Sequence, residues 1–107
     1  MKRGDLVTIA LPGAYGKPRP ALVIQSDLFD AHSSVTILPV TSTLRAAPLF
    51  RISVKPDQKN ALRRESQVMV DKPQTVPRDK VGDTIGRLSD DSLLAVDRAL
   101  AVFLGIA

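Results

Sequence analysis

Arg19, the Thr41-Ser42 pair and the stretch from Ser66 to Asp71 are the residues of this chain whose types and places suit chemistry on an anion. Arg19 stands between Pro18 and Pro20, and the nearly all-apolar Ala21-Leu22-Val23-Ile24 follows. A guanidinium at the mouth of a Gly/Pro loop, backed by a buried strand, is a long cation on a rigid base. It is suited to a phosphate or a carboxylate; the plainer alternative is a surface arginine beside a proline turn. Thr41 and Ser42 directly follow Ile37-Leu38-Pro39-Val40, so two hydroxyls lie at a strand end. There they bond either a phosphate oxygen or the neighbouring turn. Asp71 closes Gln67-Val68-Met69-Val70 and precedes Lys72-Pro73, as a site carboxylate or as a turn cap.

Other chemistries find little to work with. His32 is the one histidine, so a two-histidine ribonuclease mechanism is closed to a single chain. The carboxylates are scattered, without a helical His/Glu pair at metal-ligand spacing, so no metal and no cofactor is expected. Phosphate-cradling or dinucleotide glycine motifs and a serine nucleophile elbow are absent too. The chain has no cysteine, which rules out disulfides and thiolate metal sites and suits a reducing compartment. No signal peptide is legible at the N-terminus, and no apolar run nears the ~18 residues that cross a membrane. A cytoplasmic protein without membrane association is therefore expected.

Length and composition frame the scaffold. The 107 residues fit one domain, 1–107, with a core of Leu, Val, Ile and Ala, since aromatics are only 4%. Fifteen Lys and Arg oppose eleven Asp and Glu, a net charge of +4. From residue 45 to 64 stand Arg45, Arg51, Lys55, Lys59, Arg63 and Arg64, opposed only by Asp57. That run is either a solvated loop face or a surface that tracks a nucleic-acid backbone.

The elements that must hold these residues are mostly strands. Asp5–Leu11 is apolar on both alternating sides, as in a strand buried on much of both faces. Residues 12–18 read as a loop, Ala21–Gln25 as a second strand, and 26–33 as a short irregular or helical excursion. Val35–Val40, Phe50–Val54, Gln67–Val70 and Gly82–Leu88 complete the strand set. A short helix is expected after Pro77, with that proline at its first position. Ser89–Leu104 is the one long helix: Ser89 caps it, Asp90 and Asp91 suit its positive end, and Gly105 stops it. Its apolar face is Leu93, Val96, Leu100 and Phe103. Five to seven short strands and one C-terminal amphipathic helix make a small, partly open barrel with a helix packed on it.

Taken in order, Arg3-Gly4-Asp5, Arg19-Pro20-Ala21-Leu22-Val23-Ile24, Pro39-Val40-Thr41-Ser42 and Ser66-(x)4-Asp71-Lys72-Pro73-Gln74-Thr75-Val76 resemble the signature blocks of MazF/PemK toxin endoribonucleases. Gly86-Arg87-Leu88-Ser89 before a terminal helix is also similar, so the resemblance spans nearly the whole chain. It implies an SH3-like barrel, a homodimer, and metal-independent cleavage of single-stranded RNA. The 2′-hydroxyl attacks the phosphate, leaving cyclic phosphate and 5′-hydroxyl ends. It also implies a cognate antitoxin whose acidic C-terminal segment neutralises the toxin.

By the same match Arg19 is the catalytic arginine, Thr41 holds the scissile phosphate, and Asp71 accepts the proton or orients Arg19. An aspartate is a weak base at neutral pH unless its surroundings raise its affinity for a proton. The RNA-binding set expected beside them is Lys17, Ser42, Arg45, Arg51, Arg63, Arg64, Ser66 and Gln74. Met69 and Gln74 stand where some relatives carry arginines, a departure that bears on sequence preference and on the role of Asp71. Two other readings compete. Phe103-Leu104-Gly105-Ile106 is similar to the end of the CcdB gyrase poisons, which share the fold; those rely on a terminal tryptophan, and this chain has no tryptophan. The third is a catalytically silent small barrel that binds peptide or RNA.

Overall fold

In the computed structural model, residues 1–10 and 17–107 are described. Leu11 of the expected first strand and positions 12–16 of the expected loop lie outside them. The strands are β1 (Asp5–Ile9), β2 (Arg19–Val23), β3 (Ser34–Thr41), β4 (Arg51–Val54), β5 (Ser66–Met69), β6 (Gln74–Pro77) and β7 (Val81–Arg87). One helix, α1 (Asp90–Leu104), follows, and Asp27–Phe29 and Arg78–Lys80 are single 3-10 turns. The strands run in the order β4-β5-β3-β2-β1-β7, with β6 also on β3, and every pairing is antiparallel. Among the described residues, seven strands and a C-terminal helix meet the mainly-β expectation.

The long strand β3 organises the sheet. One edge pairs β2 through Ile37, Leu38 and Pro39. The other pairs β6 through Ser34–Ile37 and then β5 through Val40 and Thr41. Pro39, which has no N–H to give, sits where that edge has left β6 and not yet reached β5. The exchange of partners joins β5 and β4 to the rest of the sheet through the end of β3, where Thr41 stands. β6 is absent from the sequence-based reading, because Pro73 precedes it and Pro77 is the last of its four residues, leaving only Gln74-Thr75-Val76 between prolines. Pro77 precedes the 3-10 turn as its cap rather than opening a helix.

Alternation assigns two cores. Leu6, Leu22, Leu38, Val40, Val54, Val68 and Val70 face α1, whose Val96 is buried among them with Leu88. Val7, Ile9, Ala21, Val23, Val35 and Ile37 line the opposite face. This is why β1 and β2 read as apolar on both sides.

The helix is bounded as the sequence predicts. The Ser89 hydroxyl accepts from the Ser92 N–H at 3.2 Å, and Gly105 takes the left-handed conformation at φ 76° that a side chain would resist. Phe103 departs from expectation: it is about half exposed, as are Leu94 and Leu104, while Leu93 and Leu100 are only partly buried against the core. The Arg3-Gly4-Asp5 opening is scaffold. The Arg3 guanidinium grips both Asp97 oxygens at 2.6 and 3.3 Å and gives its Nε–H to the Ile24 carbonyl at 2.9 Å, strapping α1 to the end of β2. Asp5 accepts from Arg87 at 3.1 Å.

Candidate active site

Strand register brings the two leading candidates together. The β2–β3 ladder ends at Ala21 opposite Pro39, which leaves Arg19 and Thr41, two residues beyond it on either strand, at the same margin of the sheet, and both line one cleft. Thr41 in turn pairs with Gln67 of β5. Beside these strand ends opens a cleft of about 420 Å³, lined by Arg19, Thr41, Ser42, Arg63, Arg64 and Ser66 among its polar residues. Pro20, Pro39, Leu62, Met69 and Ile85 supply apolar wall. Val40, Leu62 and Ile85 of its lining belong to or pack against the larger core, so packed apolar side chains underlie it.

Thr41 is half-buried, and its hydroxyl oxygen accepts the Thr43 N–H at 3.1 Å. That bond occupies an acceptor site and leaves the hydroxyl proton free to be given to a ligand. The segment beyond is tied down from beneath. Gln67 holds both the N–H and the carbonyl of Arg45, at 3.0 and 2.9 Å, and Arg51 Nη1 donates to the Thr43 carbonyl at 3.3 Å.

The opposite wall comes from the connection between β4 and β5. Asn60 is fully buried. Its Oδ1 accepts from the Asp57 and Leu62 N–H groups at 3.1 and 3.0 Å, and its Nδ2 donates to the Lys55 carbonyl at 2.9 Å. Those bonds hold Ala61 in the left-handed region at φ 56°, uncommon for a residue other than glycine. The resulting turn delivers Arg63 and Arg64 to the cleft. Among the described residues Arg19, Arg63 and Arg64 form no ion pair, and no carboxylate lines the cleft. Three unneutralised guanidinium groups over hydroxyl donors make a site for a polyanion.

Not every expected residue is gathered there. Lys17 and Arg45 are exposed but outside the lining, and Gln74 is half-buried where it opens β6 opposite Ile37. Arg51 departs most from expectation. It is 8% exposed, and its Nη1 is spent on Thr43 and Gln67, so it cannot reach an RNA at the surface. The basic run is therefore divided: Arg63 and Arg64 face the cleft, and Arg51 lies beneath it. Asp71 lies just past β5, outside the lining, with Oδ2 3.4 Å from Lys72 Nζ and Oδ1 buried without a partner among the described residues. His32 bonds locally to Ser34, away from the cleft. Among the described residues no three His, Asp or Glu side chains cluster as metal ligands. Sequence reasoning missed Gln67, Asn60 and the left-handed Ala61; alternation with the core residues Val68 and Val70 sets Gln67 on the other face of β5, so nothing local signalled its burial.

The sequence and fold are shared with known proteins. The family model described as PemK-like, MazF-like toxin of type II toxin–antitoxin system matches residues 2–104. The chain belongs to that family. It is 50% identical over its whole length to a probable endoribonuclease MazF of Mycolicibacterium smegmatis, covering 99% of that protein. It is 30% identical to endoribonuclease EndoA of Bacillus subtilis over 99% of this chain and 96% of that one. Among solved structures, Mycobacterium tuberculosis toxin MazF-mt6 superposes with a TM-score of 0.82 at 27% identity, covering 96% of this chain and 98% of that one. A mycobacterial endoribonuclease solved with its cognate antitoxin gives 0.84 at 23% identity, covering 100% and 97%, a likeness of fold. Family membership favours the endoribonuclease toxin over the gyrase poison and the silent barrel. No helix among the described residues is long and apolar enough to cross a membrane.

Proposed function

We propose that this chain is a metal-independent endoribonuclease toxin that cuts single-stranded RNA, by sequence preference, in the Arg19–Thr41 cleft. The observation that carries this reading is the shared cleft, which is lined by the Arg19 guanidinium and by a Thr41 hydroxyl whose acceptor side is already occupied. The Thr41 proton is given to a non-bridging oxygen of the scissile phosphate. Arg19 takes the charge that builds as the 2′-hydroxyl attacks, the P–O5′ bond breaks as the O2′–P bond forms, and the departing 5′-oxygen takes a proton from water. Ser42, Ser66, Arg63 and Arg64 hold the flanking backbone. With no carboxylate or imidazole in the lining, electrostatic stabilisation carries the rate, and the proton of the 2′-hydroxyl passes to water.

Asp71 then serves the turn after β5 rather than the reaction. Thr41→Ala is expected to lower single-turnover cleavage by about tenfold, one uncharged donor being lost. Asp71→Asn is expected to stay within about threefold of the parental rate, as for a substitution outside the site. The reverse order of effects would return Asp71 to the role of base.

The reading extends to assembly. The working toxin is a cytoplasmic homodimer of one domain per chain. The exposed Val102, Phe103, Leu104 and Ile106 at the end of α1 support this, because apolar residues so grouped suit burial by a second copy. Light scattering should give the mass of two chains, and a monomer at micromolar concentration would contradict it. Its cognate antitoxin neutralises it with an acidic segment that folds into the basic cleft. RNA and that segment should then compete for binding, and simultaneous binding would contradict a shared cleft.

A further inference from the structure

Gln67 is 6% exposed, a costly place for an amide unless every polar atom is paired. All of it is paired. Oε1 accepts from the Arg45 N–H at 3.0 Å and Arg51 Nη1 at 3.3 Å; Nε2 donates to the Arg45 carbonyl at 2.9 Å and Ser53 Oγ at 3.3 Å. By bonding both backbone groups of Arg45, the side chain acts as the strand partner that the segment after β3 otherwise lacks. Arg51 extends the hold to the Thr43 carbonyl at 3.3 Å, and the Thr43 N–H in turn sits on Thr41 Oγ1 at 3.1 Å.

Buried amide, buried guanidinium and turn thus form one continuous chain of hydrogen bonds ending at the hydroxyl in the cleft. Arg51 has no carboxylate partner among the described residues, and its Nε is buried without an acceptor. Gln67 Oε1 and the Thr43 carbonyl are therefore what keep this guanidinium in place. Losing the amide releases both ends of the segment at once.

We infer that Gln67 is a positioning residue for RNA cleavage: through Arg45, Arg51 and Thr43 it fixes the direction in which Thr41 offers its proton. The inference rests on the assignment of Thr41 to the reaction. A donor aimed in advance at the developing charge acts in the transition state more than in the ground state. Loosening it therefore lowers kcat and leaves KM nearly alone.

The test is a double-mutant cycle on a single-stranded RNA substrate, with Gln67→Met, Thr41→Ala and the pair. Gln67→Met is expected to lower kcat by about tenfold with KM within about twofold, the size of effect that loss of one good hydrogen bond has. In the Thr41→Ala background the same change is expected to alter kcat by less than about twofold, because the group it positions is gone. Gln67→Glu keeps the acceptor for Arg45 and Arg51 but not the donor to the Arg45 carbonyl, so its kcat should lie between parental and Gln67→Met. If Gln67→Met does not fold, Gln67→Glu is put through the same cycle.

Equal fractional losses in both backgrounds, or a parental kcat in a folded Gln67 variant, overturn the inference. Should Thr41→Ala itself cleave at the parental rate, the assignment of Thr41 has failed and the positioning role falls with it. A slow Thr41→Ala beside a fully active Gln67 variant removes the positioning role alone.

Discussion

Arg19→Ala is expected to lower the single-turnover rate of RNA cleavage by about 10²–10³, the loss typical when one preorganised donor to a developing oxyanion is removed. The guanidinium opens β2 at the rim, exposed, and among the described residues it forms no ion pair. Removing it should leave the thermal midpoint unchanged, so the loss is one of chemistry. Arg19→Lys keeps the charge but not the two-pronged geometry, and an intermediate rate is expected. Parental cleavage by folded Arg19→Ala would take the reaction away from this cleft.

Gly86→Ala should have the largest effect on the fold. A Cβ there would meet the Asn60 carbonyl carbon and oxygen and the Lys59 carbonyl oxygen, each at 2.6 Å. These are backbone atoms, and they are fixed: the Arg87 N–H donates to the Lys59 carbonyl at 2.9 Å while Gly86 pairs with Leu6 in the β1–β7 ladder. Either the ladder or the turn must move. Overpacking of this kind costs about 2–3 kcal/mol. In a domain of this size that lowers the melting midpoint by about 10–20 °C. The turn also carries Ala61, Leu62, Arg63 and Arg64 to the cleft, so RNA affinity should fall below the melting range as well. Unchanged melting would show that this crossing is looser than 2.6 Å implies.

The parts legible in the sequence are those decided locally. Ser89 and Gly105 bound α1 through bonds to neighbours a few residues away. The strands around Leu6, Leu22 and Ile37 declare themselves through largely apolar, β-branched runs. Arg19 and Thr41 stood out because one opens and the other closes such a run, and antiparallel pairing of the two runs brings both to one cleft. What stayed hidden depends on distant partners. Arg51 lies within a basic run, and only its neighbours across the β4–β5 ladder make it an interior residue. Gln67 reads as an ordinary polar position until the Arg45 backbone folds over it. The short strand β6 is masked by the proline before it and the proline that ends it, and exists because β3 offers it an edge. Phe103 has the right helical spacing for the core, but it lies near the end of α1, where only the sheet's margin is within reach.

The most direct measurement is the chemistry of the new ends. Purified protein is incubated with single-stranded RNA in EDTA, and the fragments are identified by mass spectrometry beside an Arg19→Ala control. The expected result is cleavage that persists in EDTA, yields 2′,3′-cyclic phosphate and 5′-hydroxyl ends, and is lost from the control. Fragments with 3′-hydroxyl and 5′-phosphate ends, or cleavage abolished by EDTA, would contradict attack by the 2′-hydroxyl in the Arg19–Thr41 cleft.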